Sequence, residues 1–243
     1  MDDARATELA ENLTKVRQRL DAACRAAGRT PEEVTLIAIT KTHPAEDVLR
    51  LAALGIRDVG ENRDQEAAPK AAAVAAAGVS VRWHFVGQLQ RNKARSVARY
   101  ADLVHSVDSV RLAEALDHAV LSADDRPQGT HGALRSLVQV SLDGGADGSR
   151  GGVAVDELEP VLAAVAGAEG LTLAGLMAVA PLDWEPDRAF ARLAETAERV
   201  RREYPDATIL SAGMSGDVES AIHHGATHVR IGTALLGNRQ PLM

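Results

Sequence analysis

Val34-Thr35-Leu36-Ile37-Ala38-Ile39-Thr40-Lys41 decides how the chain is read. The stretch is mostly aliphatic, carries β-branched residues, and is bracketed by Thr30-Pro31 and His43-Pro44. That is the pattern of a strand buried on both faces, as in a parallel sheet covered by helices. It ends in a lysine. An ammonium is costly to desolvate, so one placed there is ion-paired, set at the sheet rim, or used chemically. A buried amine loses basicity and becomes a nucleophile able to form an imine with an aldehyde. Only four of the 27 basic residues are lysines: Lys15, Lys41, Lys70 and Lys93. Lys15 and Lys70 fall in helical patterns among charged or alanine-rich neighbours, and Lys93 opens another helix. Lys41 alone ends an apolar strand.

Outward from this strand the chain alternates. Asp3–Ala27 is helical, with Leu9, Leu13, Val16, Leu20, Ala23 and Ala27 on one stripe and Gly28 as its stop. After Lys41, helices are expected over Ala45–Leu54, Arg63–Ala77, Asn92–Tyr100, Val155–Ala168, Asp187–Tyr204 and Asp217–His224. A further helix is capped by Asp108 or Ser109 and runs to Leu121. Strands are expected over Ile56–Gly60, Val81–Val86, Leu103–Val107, Leu134–Leu142, Leu171–Val179, Thr208–Ser211 and His228–Ile231. Ser122–Gly132 reads as a polar surface excursion, and Asp143–Gly152 as a glycine-rich flap over the barrel mouth. Eight strands alternating with helices in 243 residues predict an α/β fold, a closed (β/α)₈ TIM barrel with an extra N-terminal helix. An open doubly wound sheet would more often carry fewer strands. One domain over residues 1–243 is expected.

Composition narrows the partners. Apolar residues are 46% and aromatics 2%, so the core must be aliphatic and alanine-rich. A net charge of −7, spread along the chain, argues against a nucleic-acid or anionic-membrane partner. One cysteine, Cys24, excludes an internal disulfide and points to a reducing compartment. The acidic N-terminus is followed by no apolar run, and Val161–Leu182 changes periodicity at Glu169-Gly170, so a cytoplasmic protein without a span is expected.

In a barrel the strand ends share one rim: Lys41, Asn62, Gln88, Asp108, Asp143, Met177, Ser215, Arg230 and Thr233. Ser211-Ala212-Gly213-Met214-Ser215-Gly216-Asp217 and Arg230-Ile231-Gly232-Thr233 follow strands seven and eight. Paired glycine-containing turns there, with hydroxyls and backbone N–H groups, are how barrels hold phosphate. A phosphate cradle beside a rim lysine suits a phosphorylated aldehyde, either pyridoxal 5′-phosphate or the sugar phosphate of an imine-forming aldolase. His223-His224 with His228 invites a metal reading, but Gly225 breaks the helix between them, and histidines in a last turn suit the helix dipole.

These residues also carry a resemblance. Ala38–Thr42, Gly60-Glu61-Asn62, Trp83–Lys93 and Ser106-Val107-Asp108 resemble successive motifs of the pyridoxal phosphate homeostasis proteins, relatives of the N-terminal barrel of alanine racemase. Gly175–Ala178, Gly213-Met214-Ser215 and Val229–Gly237 continue the series, nearly the whole chain in order. The resemblance implies that Lys41 carries pyridoxal phosphate as an imine. It implies that Ser215, Gly232 and Thr233 hold the phosphate, that Met214 lines it, that Asn62 lies beside the cofactor, and that Arg230 faces the pyridine nitrogen. Three positions depart from the pattern: Arg63 in place of an aromatic, Ser149-Arg150-Gly151, and Gly216-Asp217.

Arg has only donors and stays charged, so a pyridine nitrogen facing Arg230 remains unprotonated and the ring is a weak electron sink. Tyr100 and Tyr204 both fall on expected helices away from the rim, leaving no second catalytic base. His84 reads as a structural histidine of the barrel interior. The expectation is a non-enzymatic binding and delivery protein for apo-enzymes, a monomer or weak homodimer. The alternative is a racemase-like amino-acid enzyme that uses His84 or Asp108.

Overall fold

The computed structural model describes residues 3–123, 132–144 and 151–237. Its strands are β1 Thr35–Ile39, β2 Asp58–Glu61, β3 Arg82–Phe85, β4 Leu103–Val107, β5 Leu134–Ser141, β6 Val153–Ala154, β7 Leu171–Ala178, β8 Ile209–Ser211 and β9 His228–Ile231. All pairings are parallel. The ring runs β1-β2-β3-β4-β5-β7-β8-β9 and closes through β9 onto β1. Eight strands therefore form the barrel, as expected. The short β6 is extra: it lies along the far end of β5, Val140 opposite Val153, and was not anticipated from the sequence.

The helices are α1 Ala4–Ala26, α2 Ala45–Ala53, α3 Asp64–Ala76, α4 Ala94–Val97, α5 Val110–Leu121, α6 Leu158–Ala166, α7 Pro186–Glu203, α8 Val218–His223 and α9 Thr233–Leu236. Two expected helices shrink. Asn92–Tyr100 becomes a single turn at Arg91–Lys93 followed by the four-residue α4, because Tyr100 turns inward to pack edge-on against Trp83. Val155–Ala168 starts later because Val153–Ala154 is taken by the sheet. Ser109 occupies the cap position of α5 but makes no side-chain capping bond.

The described residues form two apolar clusters. The larger lies between barrel and helices, and it includes the α1 stripe and the buried Cys24. The smaller, Leu103, Leu137, Ala174, Met177 and Ile209, packs inside the barrel. Met177 is thus core rather than rim. Among the described residues no helix is long and apolar enough to cross a membrane. Residues 124–131 of the expected surface excursion and 145–150 of the expected flap lie outside the described residues; Gly151–Ala154 does lie on the mouth, Gly151 close to Asp108, Gln88 and Gln139.

Candidate functional site

The first strand is shorter than its sequence suggests. β1 stops at Ile39, and Lys41 stands two residues beyond it, half-buried in a turn closed by the His43 N–H donating to the Thr40 carbonyl at 3.0 Å. Thr42 then takes φ +68°, the left-handed region that a β-branched residue avoids. Such a conformation costs on the order of 1–3 kcal/mol and persists only where its surroundings over-determine it. Here they do. The Thr42 N–H donates to Glu66 Oε2 at 3.1 Å, Thr40 Oγ1 donates to Glu61 Oε1 at 2.7 Å, and Lys70 Nζ donates to the Thr40 carbonyl at 2.8 Å. Lys70 also pairs with Glu61 Oε1 at 2.5 Å, both side chains buried.

This corrects the reading of Lys70. It sits on α3 among alanines, as the sequence indicated, yet it is a buried ion-pair partner that anchors the Lys41 turn from below. Burial raises the Glu61 pKa, while the Lys70 charge and hydrogen bond oppose that rise. With an ammonium and a hydroxyl both donating to Oε1, the ionised pair is the state the geometry supports.

Lys41 opens into a pocket of about 720 Å³ between the C-terminal ends of β1, β2, β8 and β9. Asn62, Met214, Ser215, Arg230, Gly232 and Thr233 line the same pocket. Every sequence-indicated site residue therefore meets there. Gln88 and Asp108 stand on the other side of the mouth, under Gly151. Burial raises the Asp108 pKa against hydrogen bonds from Ser109 and from its own and the Gly152 backbone.

Backbone geometry brings the lining together. A side chain at Gly87 would collide with the Asn62 carbonyl at 2.1 Å, so glycine there lets the end of β3 press Asn62 toward the pocket. Gly213, at φ +89°, turns the chain out of β8, and the Met214 N–H donates to Asp217 Oδ1 at 2.6 Å. Ser215 and Thr233 line the pocket from the two turns.

Sequence reasoning missed the part played by α1. Arg19 Nη1 donates to the Ser215 carbonyl at 2.6 Å, Asn12 Nδ2 to the Leu235 carbonyl at 3.2 Å, and Arg5 Nη2 to the Leu236 carbonyl at 3.0 Å. The extra helix straps the Ser215 turn and α9 from outside.

Arg230 is the electrostatic centre of the pocket. Its side chain is buried, Nη1 donates to Ser211 Oγ at 2.8 Å and Nη2 to the Ala178 carbonyl at 2.9 Å. Both acceptors are neutral. Burial lowers its pKa to about 10, and the Asp217 charge works against that shift. A guanidinium bonded to no carboxylate among the described residues, an amine on a braced turn, and Ser and Thr on two glycine-containing turns together fit a ligand with an acceptor nitrogen in its ring, an aldehyde and a phosphate.

The histidines fall into two groups. His84 is buried and bonded to Asp58 and His105 in the barrel interior, and His228 lies near it. His224 pairs with Asp187 on the outside, so the three histidines of the motif do not converge. Tyr204 Oη donates to Glu159 on the surface. The Tyr100 hydroxyl is buried and does not line the Lys41 pocket; burial and the Asp64 charge push its pKa up.

The alanine racemase N-terminal domain model matches residues 8–240. A pyridoxal phosphate homeostasis protein of Mycobacterium bovis is 52% identical over 97% of this chain and 95% of its own length. The chain belongs to the pyridoxal phosphate homeostasis proteins. The Escherichia coli K12 member of that family is 39% identical over 96% of this chain and 97% of its own. The family barrel is also seen in PipY of Synechococcus elongatus, solved with PLP bound: TM-score 0.78, 33% identity, covering 94% of this chain and all of PipY. Alanine racemase of Corynebacterium glutamicum shares the fold, with TM-score 0.67 and 18% identity over 95% of this chain but 60% of the enzyme.

Proposed function

We propose that this protein binds pyridoxal 5′-phosphate covalently through the Lys41 amine and serves vitamin B6 homeostasis in the cytoplasm by holding the aldehyde and delivering it to apo-enzymes. The convergence of Lys41 with the carboxylate-free Arg230 in one pocket carries this reading. When bound, the cofactor supplies an aldehyde that condenses with an amine and a ring that withdraws electrons. The protein's own residues decide how far that chemistry goes.

Lys41, held on the turn that Lys70, Glu61 and Glu66 brace, presents the amine. Ser215 and Thr233 hydroxyls, with the backbone at Gly232, bind the phosphate, and Met214 covers it at the lip. Asn62 sits beside the ring. Arg230 presents N–H donors to the ring nitrogen and so keeps a proton off it, which weakens carbanion stabilisation. Among the described pocket residues no tyrosine is available as a second base. We infer a carrier with no appreciable racemase turnover, built as one barrel domain and acting as a monomer or weak homodimer.

Incubation with pyridoxal phosphate, borohydride reduction and peptide mapping test the attachment. The adduct is expected on Lys41, and Lys41→Ala protein is expected to retain none. An adduct that survives in Lys41→Ala protein sinks the reading. Delivery is tested against a cofactor-free acceptor enzyme: activation no faster than from free cofactor released into buffer refutes direct hand-over.

A further inference from the structure

Arg230 ends a line of hydrogen bonds that crosses the barrel interior. From Ser211 Oγ the line passes to His105 Nδ1 at 2.9 Å, from His105 Nε2 to His84 Nδ1 at 2.9 Å, and from His84 Nε2 to Asp58 Oδ1 at 2.9 Å. At the opposite rim Arg82 donates from Nε and Nη2 to the two Asp58 oxygens. Five strands contribute, β2, β3, β4, β8 and β9, and the side chains from Asp58 to Arg230 are all buried.

The ends of the line fix its direction. Arg230 can only donate, and ionised Asp58 can only accept. Ser211 therefore accepts from Arg230 and passes its own hydrogen to His105 Nδ1. His105 carries its hydrogen on Nε2 and donates to His84 Nδ1; His84 carries its hydrogen on Nε2 and donates to Asp58. Every donor and acceptor in the line then has a partner. Run the other way, Ser211 Oγ would receive two N–H donors, and its own hydrogen would have no acceptor in the line.

The charges around the line agree with a neutral ring at His105. His105 is faced by His84, Arg230, His228 and Arg135, all cationic or able to become so, and burial and these neighbours hold its pKa far below the ordinary histidine value. Burial alone would raise the Asp58 pKa, but hydrogen bonds from His84 and Arg82 overcome this and bring it down to about 2. His228, 6.2 Å from the His84 ring centre, bonds sideways to Thr227 Oγ1 and stands outside the line. Asp217 is the acid whose charge reaches Arg230.

We propose that Asp58, His84 and His105 are positioning residues of the cofactor pocket, forming a line polarised from Arg230 to Asp58 that fixes the aim of the guanidinium at the cofactor's ring nitrogen. The aim at the ring nitrogen rests on the function proposed above; the polarity of the line does not. Its effect is to give Arg230 a neutral hydroxyl as acceptor where a carboxylate could stand, so that the pocket end keeps an open cation.

Long-range ¹H–¹⁵N correlation spectra of ligand-free protein with ¹⁵N-labelled histidine test the polarity. Both His84 and His105 are expected as neutral Nε2–H tautomers at neutral pH. An Nδ1–H tautomer or an imidazolium at either position overturns the proposal, and this needs no variant to fold. In Asp58→Asn the acceptor at the end of the line loses its charge, and the ring ¹⁵N shifts of His84 and His105 are expected to move toward a mixture of Nε2–H and Nδ1–H tautomers; unchanged shifts would show that the Asp58 charge does not set the direction. Loading with pyridoxal phosphate then tests the aim. Asp58→Asn is expected to shift the absorption maximum of the bound chromophore from the wild-type position while Lys41 remains the reduced residue. Moved ring shifts with an unmoved absorption maximum remove the positioning role. Wild-type protein that takes up no cofactor overturns the ring-nitrogen half and the function it rests on, with the polarity result intact.

Discussion

Lys70 and Arg230 are both cations buried in this barrel, and they meet opposite surroundings. Lys70 has a carboxylate at hydrogen-bond distance, a backbone carbonyl, and no place in the pocket lining. Arg230 has two neutral acceptors and opens on the pocket. A buried ammonium whose charge is matched on the spot is a brace. A buried guanidinium bonded, among the described residues, only to neutral acceptors is the receptor proposed above for an electron-pair donor. The contrast separates two jobs that residue type alone would confuse.

The largest effect that could break this contrast is on stability. Lys70→Met leaves Glu61 buried without its cation, and removing one partner of such a pair costs about 3–5 kcal/mol. Denaturant unfolding should show that loss, and Glu61→Leu added to it should recover much of it, since apolar replacement of both partners is well tolerated. Arg230→Met should behave differently. It removes a cation with no carboxylate to orphan and leaves two neutral acceptors short of a donor, at about 1–3 kcal/mol. The same variant should lose bound pyridoxal phosphate faster under dialysis. If Lys70→Met unfolds no more easily than Arg230→Met, the brace-and-receptor distinction is wrong.

How much of this could be read from the chain depends on whether the signal is local. Lys41 announced itself as the lone lysine after an aliphatic run, and Ser215, Gly232 and Thr233 lay in glycine-containing turns after the last two strands, so the pocket was legible. The barrel followed from counting alternations. The partner of Glu61 was not legible, because Lys70 lies on another element and nothing in an alanine-rich helix marks one position as facing a strand end. His105 was equally silent: it alternates with Leu103 and Val107 in a strand whose inward face cannot be told from a fully buried pattern. The hold of α1 on the Ser215 turn and on α9 is likewise tertiary, made through the carbonyls of Ser215, Leu235 and Leu236.

A smaller effect lies with the buried histidines. Burial lowers the His228 pKa to about 4 and holds that of His105 well below the ordinary histidine value. A depressed folded-state value means that the unfolded chain binds the proton more tightly. Stability is thus present above the ordinary histidine value of 6.5 and lost as pH falls from there through about 4. For His228 the loss is on the order of 2–3 kcal/mol. Thermal unfolding between pH 7 and 4 should show this decline, and His228→Asn should flatten part of it. A midpoint unchanged across that range would mean that the barrel interior admits protons freely, and with them an imidazolium inside the polarised line.

The smallest effect concerns the strap. Arg19 is more than one-third exposed and its bond with Glu219 is worth at most about 1 kcal/mol, so Arg19→Ala should barely move the unfolding midpoint. Its other bond goes to the Ser215 carbonyl, on one of the two turns proposed to hold the phosphate. Freeing that carbonyl loosens a turn on the receptor side and leaves the Lys70 brace alone. Arg19→Ala protein should therefore release pyridoxal phosphate modestly faster, by about fivefold if 1 kcal/mol of ordering is lost, with the borohydride adduct still on Lys41. Equal release from both proteins would mean that the Ser215 turn holds its shape from within, through Gly213 and the Met214–Asp217 bond, and that α1 matters to the fold but not to the pocket.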